Sequence, residues 1–350
     1  MTLAGNLYHQ FKRYRTLQTH HISSLPIVIL MPHSACNCQC VMCDIWKGNS
    51  NRKQLKEADV KGLLESLHQF GTQQVLFSGG EALLHPLFFR FCEMIRQQGI
   101  RISLLSTGLT LKQHAHQLIE YVNDIVVSLD GDAATHDRIR NIPHAYDKLA
   151  AGIQAIKDIS PSFRITARSV IHQLNFRVMP EMITTAKRLG VDQLSFFPAD
   201  VSSSAFNREI PWNQERKEEI LVAEDELPLL KQKIEHIIIH HQKELKERFI
   251  AESALRLLQI HQYYAAFYGK AFFPYKKCNA PWVSTVIEAD GTIRPCFFHE
   301  PMGNIRTGSL EAALNSDKAT AFRKGLNISR NDTCKKCVCS LYLAPGAKIN

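Results

Sequence analysis

Apolar residues recur along the chain in two alternating rhythms. Short continuous runs such as Ile27–Met31 and Val75–Phe77 read as buried strands, and stripes at three- and four-residue spacing lie between them. Val60, Leu63, Leu64 and Leu67 form one stripe, with Gly71 placed to stop the helix; Ile183, Ala186 and Leu189 before Gly190 repeat the logic. Strand-like segments begin near Ile27, Gln74, Arg101, Asp124, Arg164 and Gln193. This alternation predicts a parallel sheet with helices outside it. Residues 213–268 break the rhythm. They are charged, poor in glycine and carry Leu230, Ile234, Ile237 and Ile238 at helical spacing, so they read as a bridge of two or three helices with His240 and His241 on a solvated face. Beyond the bridge, Val283–Ala289 and Thr292–Phe298 flank Asp290-Gly291, a strong hairpin signal, and a helix is expected from Leu310 to Phe322.

Composition narrows the class. A chain of 350 residues, 45% hydrophobic and 21% charged, is a globular protein of about two domains rather than a disordered or fibrous one. Its apolar runs fall far short of the ~20 residues of a membrane span. The N-terminus is charged where a secretion signal needs an apolar stretch, so a soluble, cytoplasmic protein is expected. The formal charge of +9 invites a nucleic-acid reading, but Lys and Arg are dispersed, which argues for a moderately basic surface.

The ten cysteines are grouped: Cys36, Cys38, Cys40 and Cys43; then Cys278, Cys296, Cys334, Cys337 and Cys339; and Cys92 alone. Clustered spacings without a secretion signal favour metal ligation over disulfides. Cys92 shares a helical face with Phe88, Phe91 and Ile95 and reads as a small core residue. The first group contains C-x3-C-x2-C as Cys36, Cys40 and Cys43, and short spacings let one loop wrap an iron–sulfur cube. Three thiolates for four irons leave one iron open. Cys38 also allows C-x-C-x2-C, so a zinc knuckle stays open on spacing alone.

Context adds to that spacing. The cysteine loop follows the first strand, and the second strand runs into Ser78-Gly79-Gly80-Glu81. In this the chain resembles the radical S-adenosylmethionine enzymes. The resemblance continues in Ser106-Thr107-Gly108 after the third strand, Ser128-Leu-Asp130-Gly131 after the fourth, and His136-Asp137-Arg138-Ile139-Arg140-Asn141 beyond it; Met42 departs from the usual aromatic residue. It implies an open (β/α)6 partial barrel with the helical bridge and a small α+β C-terminal domain. The boundaries then fall at an N-terminal extension 1–25, barrel 26–205, bridge 206–270 and C-terminal domain 271–350. It also implies a [4Fe–4S] cluster on Cys36, Cys40 and Cys43 whose open iron chelates S-adenosylmethionine, with cofactor contacts from Gly79, Gly80, Glu81, Ser106, Ser128, Asp130 and Arg140.

The C-terminal group, Cys278-x12-Gly291-x4-Cys296 and Cys334-x2-Cys337, is by itself compatible with a zinc ribbon. Beside such a core it resembles the shortened "twitch" form of the SPASM domain. The full domain's later cysteines are missing. One auxiliary [4Fe–4S] cluster is implied, on Cys278, Cys296, Cys334 and Cys337, with Cys339 competing for the last place.

The activity implied is reductive cleavage of S-adenosylmethionine to a 5′-deoxyadenosyl radical that abstracts hydrogen from a substrate. An auxiliary cluster without an open iron suits electron movement, hence a redox-type modification or dehydrogenation of a small molecule. Expected partners are S-adenosylmethionine, that substrate and an electron donor of the flavodoxin or ferredoxin type. Modification of a ribosomally made peptide is the alternative within the class, although only ~25 residues precede the first strand, too few for a fused peptide-recognition domain. The rival from another class is a non-catalytic zinc- or nucleic-acid-binding protein.

Overall fold

A computed structural model describes residues 3–208, 210–347 and 349. Six strands form in the expected places: β1 (Ile27–Leu30), β2 (Gln74–Phe77), β3 (Arg101–Ser106), β4 (Asp124–Ser128), β5 (Arg164–Ile171) and β6 (Gln193–Pro198). Each pairs in parallel with the next, and one face alternates deeply buried side chains such as Val75, Phe77, Ile102, Leu104, Ile125 and Val127. Helices Glu57–Gln69, Phe88–Arg96, Leu111–Tyr121, Ala145–Ile159 and Met179–Arg188 follow the successive strands. Their stripes, including Val60, Leu63 and Leu67, are buried as the spacing predicts, and Cys92 sits wholly inside. The fold is mixed α/β around a parallel sheet.

The sheet does not end at β1. The C-terminal hairpin, β7 (Ser284–Ile287) and β8 (Thr292–Arg294), joins it, with β7 parallel to β1, and β9 (Gly303–Asn304) closes the order β6-β5-β4-β3-β2-β1-β7-β8-β9. The hairpin signal is correct, but its docking onto β1 depends on contacts between distant parts of the chain. All four residues of β7 are buried, the pattern of an interior strand.

The expected helix over Leu310–Phe322 is two helices, Leu310–Leu314 and Asp317–Gly325. Asn315 and Ser316 break it. Ser316 caps the second helix by accepting from Ala319 N at 3.2 Å, and the Asn315 side chain clamps the backbone of Ile22. The bridge contains Gln214–Glu218, Leu227–His240, Gln242–Lys246 and Ala254–Phe267. Leu3–Thr19 forms a helix that the pattern did not announce; its buried Arg13 donates to the carbonyls of Ala344 and Ala347, fastening the C-terminal segment beside the first helix.

Candidate functional site

The cysteine loop begins where β1 ends, at the carboxyl edge of the parallel strands, where ligands in α/β sheets bind. It is held from several sides. Cys36 N donates to Asn49 Oδ1 and Asn49 returns a bond to Cys36 O, both at 2.9 Å. Gln39 and Val41 donate to the carbonyls of Arg140 and Ile139 at 3.0 Å, so the end of helix Ala133–Arg140 splints the loop. A turn from Cys43 N to Cys40 O brings the last two cysteines together.

Gly79 and Gly80 press on this loop from the end of β2. Gly79 lies in the left-handed region at φ 114°, and a Cβ on Gly80 would stand 2.2 Å from Ala35 O and 3.1 Å from Cys36 Cβ. The glycines therefore permit a close approach of backbone to the cysteine loop itself. Glu81 N completes the contact by donating to Ala35 O.

Glu81 is fully buried and its carboxylate is well supplied. It accepts from Leu83 N, Ser106 Oγ, Thr107 N and Thr107 Oγ1 at 2.7–3.2 Å, which braces the end of β2 against the end of β3. Burial raises its pKa while these donors oppose the shift. Ser106 is thereby engaged with Glu81, whereas Ser128 stays half-buried at the end of β4.

Asp130 and Arg140 make a buried pair at 2.5 Å, and Arg140 Nη1 donates to Cys40 Sγ at 3.4 Å. Burial pushes the Asp130 carboxyl up and Arg140 opposes it. Cys40 is the most acidic thiol of the loop, lowered to about 6 by a hydrogen bond from the Cys38 thiol and by Arg140. Cys36 and Cys43 are pushed up to about 12 by burial. Beside this group His136 and His172 are held neutral by burial, each lowered to about 3.

The C-terminal thiols come from separate segments. Cys278 precedes β7, Cys296 follows β8, and Cys334 lies on the short helix Asp332–Lys336 capped by Asn331. They lie within electrostatic reach: Cys334 and Cys278 bear on Cys296, and Cys339 and Cys296 on Cys337. Burial raises Cys296 to about 12 and Cys334 to about 11. Cys339 is exposed, while its thiol feels Arg168 and Asp200.

Two residues here escaped the sequence reading. His299 Nε2 lies 3.3 Å from Cys334 Sγ, and Lys276 Nζ donates to the carbonyls of Lys335 and Cys337. The spacing Cys296-x2-His299 is a usable signal for the first, whereas nothing local marks Lys276. Asp200, Phe206 and Arg208 link the regions. Arg208 bonds Asp200 and Met42 O, while Phe206 packs on Phe297 at 4.9 Å.

Among the described residues no three His, Cys, Asp or Glu side chains converge closely enough to grip a single metal ion. Fit to a cluster is therefore judged on donor chemistry and loop shape. Both groups present thiols, the soft ligands that iron–sulfur clusters require, and each has a cation nearby to offset thiolate charge, the buried Arg140 and the half-buried Lys276. The residues fit.

Residues 30–186 match the radical SAM superfamily, and residues 278–338 match SPASM, an iron–sulfur cluster-binding domain. Among curated relatives, Fe-coproporphyrin III synthase of Methanosarcina barkeri is 26% identical over 206 residues, 57% of this chain and 51% of that protein. The chain spans about half the length of the curated relatives it first matches. Among solved structures, Streptococcus suis SuiB bound to precursor peptide SuiA aligns with a TM-score of 0.65 at 15% identity, over 94% of this chain and 74% of that one. Native anSMEcpe with bound AdoMet and Cp18Cys peptide gives 0.60 at 19% identity, over 89% and 85%. At these identities the likeness is one of fold. No helix among the described residues is long and apolar enough to cross a membrane.

Proposed function

We propose that this chain, whose residues 30–186 match the radical SAM superfamily and 278–338 the SPASM domain, abstracts hydrogen from a small organic molecule in a redox-type modification or dehydrogenation. These domains imply [4Fe–4S] clusters and S-adenosylmethionine as cofactors. Cys36, Cys40 and Cys43 would hold one such cluster, which would supply the electron for reductive cleavage of S-adenosylmethionine.

The observation that carries the reading is the pre-shaped cysteine loop at the carboxyl edge of the sheet, wedged by Gly80 and splinted by residues 139–140. This chain's own residues hold the cysteine loop in shape, and preorganisation of that kind is what positions a reacting atom. In this reading Cys38 serves as a hydrogen-bond donor to Cys40 rather than as a ligand. With the Glu81 carboxylate engaged by Ser106, Thr107 and Leu83, backbone carbonyls of residues 79–80 are left to receive the amine of S-adenosylmethionine. Ser128 and Arg140 would meet its remaining polar groups, and Asp130 anchors Arg140. Cys278, Cys296, Cys334 and Cys337 hold the auxiliary cluster. A low-potential donor of the flavodoxin or ferredoxin type supplies electrons.

Anaerobic incubation with dithionite, S-adenosylmethionine and a small-molecule extract tests the reading. It expects 5′-deoxyadenosine together with a product lighter by two hydrogens. Absence of 5′-deoxyadenosine under all conditions contradicts it. Modification of a peptide is the second reading, supported by the peptide-bound states of SuiB and anSMEcpe. A mass shift confined to peptides would favour it.

A further inference from the structure

A cavity of about 520 Å³ opens at the β6 edge of the sheet. Its lining includes the end of β6, Phe196–Pro198, and Val338 and Ser340, which flank Cys339. Ile260 and Tyr263 add to its apolar and aromatic surface. The volume falls within the range of a small-molecule site.

The charges around it are unbalanced. Arg248 and Arg256 line the cavity, and among the described residues neither forms an ion pair. Arg256 reaches only the neutral Gln259 Oε1 at 3.3 Å, while Lys276, also on the lining, is taken up by the C-terminal cysteine group. Glu252 is the single carboxylate on the lining. Its oxygens are spent on Ser195 Oγ at 2.7 Å and Phe196 N at 2.9 Å, where they cover the sheet edge. Arg248 and Arg256 are exposed residues of the lining with no carboxylate partner, so both guanidinium groups are free to meet an anion.

We propose that this cavity is a binding site for a small carboxylic acid with an apolar body. The proposal goes beyond the reading above and does not depend on it. Guanidinium groups match carboxylates in a planar, two-point geometry, and the aromatic side chains of the lining suit the hydrocarbon part. Phosphate is the poorer fit, because no glycine-rich turn with clustered backbone amides lines the cavity.

Dansyl-glutamate, an aromatic body with two carboxylates, is a direct probe when titrated by fluorescence into the full-length, iron-loaded protein. Uncharged dansylamide is its control. Dansyl-glutamate should bind at least tenfold more tightly than dansylamide. The double variant Arg248→Glu/Arg256→Glu should lose at least tenfold in affinity for dansyl-glutamate and leave dansylamide unchanged. Arg248→Gln and Arg256→Gln, at exposed positions, should each show a smaller loss and keep the parent's melting temperature. Equal binding of the two probes, or equal affinity in parent and variants, would overturn the proposal. Cleavage of S-adenosylmethionine by the parent is assayed separately. Its failure would sink the radical reading without touching the probe result, and a charge-independent probe result would sink the carboxylate site without touching cleavage.

Discussion

The two cysteine groups stand beside adjacent strands, β1 and β7, yet they are assembled by different means. The first is local. Eight residues, 36–43, carry all its thiols, and neighbouring elements hold the loop: Gly80 beneath it, Asn49 across it and residues 139–140 along it. Its cation, Arg140, is already paired with Asp130. The second gathers thiols from three segments spread over residues 278–339 and depends on a hairpin and a capped helix to bring them together. Its cation, Lys276, has carbonyls for partners and no carboxylate. A local site can fail without the fold failing, whereas a site built from topology fails with the elements that assemble it.

The largest expected effect breaks the first site alone. Cys36→Ala, Cys40→Ala and Cys43→Ala should each abolish 5′-deoxyadenosine formation, while Cys38→Ala should retain it, measured by chromatography after anaerobic turnover. Loss at Cys38 with retention at Cys36 would overturn the register. A backbone contrast comes next. Gly80→Ala places a Cβ 2.2 Å from Ala35 O and must displace the cysteine loop, so iron should fall by about half in a protein that still melts cooperatively. Gly291→Ala acts on the hairpin at φ 88°, with a Cβ 2.7 Å from Asn304 Oδ1. It should cost about 1–3 kcal/mol and lower the melting temperature together with the auxiliary iron.

How much of this was legible follows the same division. The strand starts at Ile27, Gln74, Arg101, Asp124, Arg164 and Gln193 and the helical stripes are short-range patterns, and they are present in the fold. C-x3-C-x2-C is short-range too. The docking of β7 on β1, the Asp130–Arg140 pair and the position of Lys276 depend on residues that are distant in the chain, so no local pattern encodes them. Asn315-Ser316 is the exception, a local helix break overlooked because Leu310, Leu314 and Phe322 keep an apolar rhythm across it.

Acid should loosen the first region. His136 and His172 have folded values of about 3 against an ordinary 6.5, so the unfolded chain takes up protons first as the pH falls. The stability they contribute is intact above about pH 6.5 and is lost progressively towards pH 3. Between pH 6.5 and 5 the loss should approach about 2 kcal/mol for each histidine. Thermal melts across that range test it, and His172→Gln should flatten the slope.

The smallest effect concerns Cys339. Its carbonyl accepts from the Cys337 thiol at 2.6 Å, and it is the exposed member of its group. Cys339→Ser should leave iron content and turnover unchanged. Lost iron would make Cys339 a ligand in place of Cys337.

Iron counting tests the two-site account most directly. Anaerobically reconstituted protein should hold about eight irons with matching sulfide, two clusters of four. The Cys36/Cys40/Cys43→Ala triple variant should retain about four, on the C-terminal thiols. Zinc in place of iron there would convert the C-terminal group to a structural ribbon, and complete loss of iron from the triple variant would contradict two independently held clusters.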